Sequence, residues 1–94
     1  MRLKKNIEQI EGAVAKVCKL SGFTYEFNEV GRELQLPKGR HLGVSAQDVQ
    51  SVAPEAVVKR PNDKFFTVKY EKLVPLLIEA IKELKAEIDD LKAQ

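Results

Sequence analysis

Tryptophan is absent from this chain, and cysteine, methionine and histidine occur once each. One cysteine excludes an internal disulfide, and no Cys/His cluster has metal-ligand spacing, so neither a disulfide scaffold nor a zinc module is encoded. Charge of one sign is missing too: 16 Lys and Arg stand against 14 Asp and Glu, for +2 at pH 7. That balance lacks the basic face of an electrostatic nucleic-acid binder, so no nucleic acid is expected as a partner. There is no long apolar run to span a membrane, and Met1-Arg2-Leu3-Lys4-Lys5 lacks the apolar stretch of a signal peptide. No cofactor motif is visible, nor any set of nucleophile, base and orienter. What remains is one small domain of 94 residues, 44% hydrophobic and 32% charged, which is a globular composition. A monomer of this size buries only about 60–65% of its unfolded surface, so association would add stability.

Ile7, Ile10, Val14 and Val17 recur at helical spacing, which predicts an N-terminal helix over residues 6–20 with Cys18 near its core face. Gly22 falls where such a helix would end on a left-handed residue. Phe23, Tyr25 and Phe27 alternate with polar residues as in a half-buried strand over 23–28. Two glycines, a proline and three basic residues make 29–40 a loop or irregular hairpin. Residues 41–45 read as a strand in which Gly43 marks a bulge or a close backbone approach, with His41 at its edge. Ser45 is placed to cap a short helix over 46–52 that Pro54 stops. Residues 56–60 and 65–70 flank Pro61-Asn62-Asp63-Lys64 as a hairpin, with Phe66, Val68 and Tyr70 on one face.

From about residue 72 the chain has high helix propensity and no glycine, and Pro75 fits only in a first turn. Val74, Leu77, Ile81, Leu84, Ile88 and Leu91 repeat at alternating spacings of three and four, a heptad seam with Val74, Ile81 and Ile88 at a. Glu87 at g and Lys92 at e have the offset that pairs parallel strands. Ile at a with Leu at d favours two strands, whereas Ile78, Leu73 and Ala80 broaden the early apolar face enough for a third. The fold expected is therefore α+β: a body over 1–71 with one small antiparallel sheet, and an oligomerisation helix over 72–94.

Four stretches carry a resemblance: Arg2 to Ile7, Leu42 to Val49, Pro54 to Val57, and Val68 to Glu83. In order and spacing they resemble the intramolecular chaperone auto-processing domain that ends phage tailspikes, tail fibres and endosialidases, with a relative in a myelin regulatory transcription factor. The resemblance implies a parallel homotrimer that helps the upstream fibre portion of its own precursor fold in the host cytoplasm during virion assembly. It also implies that the domain then cuts itself off. The family's cut uses a serine in a Ser-Asp-x-Arg-x-Lys motif, onto which Arg2 and Lys4 match; the Ser and Asp would precede Met1. The chain as written therefore resembles the inactive released product, with Lys4 the base. Gly43, Ala46 and Gln47 belong to the central motif, where Gln47 lines the cleavage site or holds the helix start. Ser45 and Ala53 depart from larger apolar residues usual there, and the 29–40 segment is short for a client-gripping arm.

A serine hydroxyl needs a base, and a lysine serves only when neutral. At an ordinary pKa of about 10.4, about one lysine in 2,500 is neutral at pH 7, but burial can lower that value by about 3–5 units. Trimerisation that encloses Lys4 would supply such burial. Two other readings stay open: a permanent trimerisation or adaptor module that never cleaves, and a module whose seam engages a foreign protein.

Overall fold

The structure is a computed structural model that describes residues 3–61 and 65–94; Arg2 and residues 62–64 of the expected hairpin turn lie outside them. It is α+β. The elements are α1 (Ala13–Val17), β1 (Gly22–Tyr25), α2 (Glu29–Glu33), β2 (His41–Val44), α3 (Ala46–Val52), β3 (Val57–Lys59), β4 (Phe66–Val68) and α4 (Val74–Ala93). Single 3-10 turns at Pro54–Ala56 and Tyr70–Leu73 lead into β3 and α4.

The long N-terminal helix is a correction. Asn6 and Gly12 adopt left-handed φ of 55° and 63°, and only the five residues of α1 are helical. In a continuous helix the Ala13 and Val14 amides would bond the carbonyls of residues 9 and 10. Here the Glu83 carboxylate takes them instead, at 2.7 and 3.1 Å. Gly12 has no side chain with which to cap the helix, and Glu83 fills that role from α4. Cys18, expected near the core, is exposed just past α1. Gly22 opens β1 rather than closing a helix.

The 29–40 segment holds a helix that its glycines and proline concealed. Asn28 Oδ1 accepts the Gly31 amide at 3.1 Å, a cap at the start of α2. At its end Gln35 takes a left-handed φ of 62° and Leu36 N–H bonds Gly31 C=O at 3.0 Å, as in a Schellman closure.

The expected single sheet is two separate antiparallel pairs, β1 with β2 and β3 with β4. Their join is a side chain: Val44 N–H donates to Tyr70 Oη at 3.3 Å, where a continuing sheet would need a strand. Gly43 marks a close approach and no bulge, since β1 and β2 stay in register from Gly22–Val44 to Tyr25–His41. A Cβ at Gly43 would stand 2.8 Å from Tyr25 Cε1 and 3.1 Å from Tyr70 Oη. Ser45 caps α3, its hydroxyl accepting the Asp48 amide at 3.4 Å, and the helix stops before Pro54.

The buried core is Ala13, Val49, Ala56, Leu73, Leu76 and Ala80, with Ile10, Val14, Val17, Val44 and Val68 packed around it. Half of those six are alanines, so little apolar area is removed from water. The chain exposes 7973 Å², against about 5,500 Å² for a compact monomer of this mass. Its radius of gyration is 17.0 Å, against about 12 Å expected for this length.

Replacing Gly43 by alanine should destabilise the fold by about 1–3 kcal/mol, because Tyr25 and Tyr70 must both shift. Gly22→Ala, which meets nothing within 4 Å, should stay within about 1 kcal/mol; urea midpoints of the two variants check the contrast.

Candidate functional site

Helix α4 begins as its sequence requires, with Pro75 in the first turn, and runs 20 residues. One stripe, Leu73, Leu76, Ala80 and Glu83, faces the body: the three apolar residues are at most 7% exposed and Glu83 holds α1. The heptad seam lies about 100° round the helix, one residue further along. Val74, Leu77, Ile81, Leu84, Ile88 and Leu91 are 43–68% exposed. None is tucked into its own body. Leu73 and Ala80, expected to widen the surface offered to a third helix, are spent on the core; Ile78, at 51% exposure, still borders the seam.

Beyond Glu83 every residue of α4 is exposed. These last ten helical positions span about 15 Å. An isolated helix this short is marginal in water. Lys85–Asp89 at 2.8 Å is its ion pair, in an exposed i,i+4 arrangement worth only about 0.2–0.5 kcal/mol. Glu87 and Lys92 are exposed at the flanks of the seam.

Lys4 is exposed in an irregular stretch, and Arg2 lies outside the described residues. Ala46 and Gln47 form the first turn of α3, where Ser45 holds the helix start and Gln47 points to solvent. Ser51 donates to Asp48 C=O at 2.6 Å, so it and Ser45 both serve α3. His41 packs beside Tyr25 and Phe27, with ring centroids 5.5 and 5.4 Å away, and its Nε2 lies 3.2 Å from Pro37 C=O. That makes it a packing residue of β2. Among the described residues no three of His, Cys, Asp and Glu come together as a metal site, and no helix is long and apolar enough to cross a membrane.

Sequence reasoning missed two residues that organise the site. Tyr70 ties the start of α4 to β2, and Glu83 ties α1 to α4. Position 83 falls three residues after Ala80 on the body-facing stripe, and this was the available signal. Between the two strand pairs Phe23, Tyr25, Phe66 and Tyr70 also line an open aromatic groove of about 730 Å³.

A small α+β body thus covers one edge of its longest helix and leaves the neighbouring apolar edge exposed. Its residues 1–58 match the family model described as chaperone of endosialidase, and the chain belongs to that family. It is 38% identical over 94 residues to the long tail fiber protein Gp37 of Enterobacteria phage M1, covering 97% of this chain and 37% of that protein. It is 37% identical over 98 residues to the Gp37 proteins of Enterobacteria phages K3 and T2, covering all of this chain but 8% and 7% of theirs. The chain thus spans about a third or less of the curated relatives it matches.

Tyr70→Phe should lower stability by about 0.5–1.5 kcal/mol by removing the acceptor of the Val44 amide. The loss should appear as a lower denaturant midpoint at unchanged slope.

Proposed function

We propose that this domain is the trimerisation chaperone of a phage tail fibre: three copies join in parallel through the α4 seam and bring the three preceding fibre chains into register. The observation that carries this is the exposed seam, six apolar residues in heptad register on a helix whose other apolar stripe is already used. Bringing each half-exposed Ile or Leu out of water contributes about 1 kcal/mol, since full burial is worth about 1.5–3. Long tail fibre proteins are the relatives it matches, and a fibre is the client that fits such a domain.

In the same reading, a precursor with Ser-Asp directly before Met1 cleaves itself there after assembly. Once packing between protomers has removed Lys4 from water, the serine oxygen attacks the scissile carbonyl while Lys4 takes its proton. The C–N bond breaks as that proton passes to the departing amine, and water hydrolyses the resulting ester. Loss of the domain then leaves the fibre kinetically trapped in its folded form. A permanent, non-cleaving trimerisation module is the alternative, supported by the exposed position of Lys4 in the single chain.

The seam is tested by Ile81→Lys with Ile88→Lys. Together they should reduce the particle to a single 10.6 kDa chain in light scattering and remove the concentration dependence of Tm. An oligomer of unchanged mass would refute the seam. Processing is tested by Lys4→Arg in the Ser-Asp precursor. Guanidinium cannot give up its proton near neutral pH, so cleavage should stop although charge is kept; persistent cleavage would exclude Lys4 as the base.

A further inference from the structure

Two carboxylates of α4 hold the segment that leads back to Lys4. Glu83 accepts the Ala13 and Val14 amides at 2.7 and 3.1 Å, and one turn earlier Glu79 accepts Gln9 Nε2 at 2.7 Å. Glu79 is steadied in turn by Lys82 at 3.2 Å. These bonds join parts of the chain about 70 residues apart, and bonds to a charged acceptor are about twice as strong as neutral ones.

The segment also borders the open seam. Glu8, Gln9 and Ile10 lie along Pro75, Ile78, Glu79 and Lys82, lining an open, shallow cleft of about 270 Å³. At 100° per residue, the surface of α4 passes from this segment to the body stripe of Leu76, Ala80 and Glu83, then to the seam. Ile78 closes the circle, lining the cleft on one side and adjoining the seam on the other. A second helix seated on the seam would therefore meet Ile78, the residue on which the segment rests. Lys4 stands five residues before Gln9, a tether of at most about 17 Å.

We propose that Glu79 and Glu83 are positioning residues that couple association of α4 to ordering of the Lys4-bearing arm. This rests on the assembly and processing reading above. A neighbour packed over Ile78 fixes Glu8 to Val14 against α4 through the two carboxylates, and the short tether then keeps Lys4 within the same assembly. In the single chain Lys4 is exposed, and Leu3 and Ile7 are 100% and 61% exposed, so the arm has apolar side chains left to bury.

The test follows amide exchange of residues 3–14 as chain concentration is raised, alongside cleavage of a precursor carrying Ser-Asp before Met1. In the unsubstituted chain the arm should gain protection as oligomer forms. Glu83→Ala should keep the oligomer mass while exchange of the arm and of Ala13 and Val14 rises, and cleavage slows, by about tenfold or more. Glu83→Gln, which keeps one acceptor oxygen, should recover part of both. Arm protection that ignores concentration, or cleavage at the unsubstituted rate with the arm released, would overturn the proposal. Should Glu83→Ala fail to fold, Glu79→Ala removes the exposed Gln9 contact, together with the Lys82 pair, and is held to the same exchange and cleavage outcomes. A precursor that assembles without cleaving would sink the processing reading, and the exchange measurement would then decide the coupling by itself.

Discussion

Helix α4 carries two apolar edges side by side, and the body it grows from can cover one of them. Leu73, Leu76 and Ala80 meet a core made largely of alanine and valine, while the next residue in each case starts an edge that meets only water. A one-residue offset on a helix is about 100°, so no small rotation of α4 could bury both. The remaining architecture follows from this. A thin core, an accessible area well above that of a compact monomer and an exposed C-terminal rod are what this incomplete burial amounts to in the single chain.

The body is arranged to hold α4 at its base and leave the edge clear. Tyr70 locks the turn before α4 onto β2, and Gly43 leaves room for it. Glu83 grips α1, and every residue of α4 beyond it is exposed. A carboxylate suits this place: it satisfies two amides that Gly12 cannot cap, and it ends the body contact without adding apolar surface that would compete with the seam.

Legibility in the sequence followed how local each cause was. Helix α4, its start at Pro75 and the Ser45 cap were readable because periodicity, proline and capping act within a few residues. The helix over 6–20 failed because Glu83, about 70 residues away, claims the amides on which its middle would depend. Helix α2 was overlooked because two glycines and a proline outweighed the Asn28 cap, and because Gln35 closes it in a conformation usually left to glycine. The strand pairs were found but joined wrongly, since the link between them is a tyrosine hydroxyl and carries no periodic signal. Of the candidate site, the exposed heptad stripe from Val74 to Leu91 was legible from its spacing. The arrangement around Lys4 was legible only as a motif, and in the chain Lys4 is exposed in an irregular stretch.

The most direct measurement is sedimentation equilibrium of the unsubstituted chain over a wide concentration range. The account predicts a limiting mass three times that of the 10.6 kDa chain, reached reversibly and without any added protein. A mass that stays at one chain throughout would mean that the exposed edge of α4 is not made for copies of itself, and the account would fail.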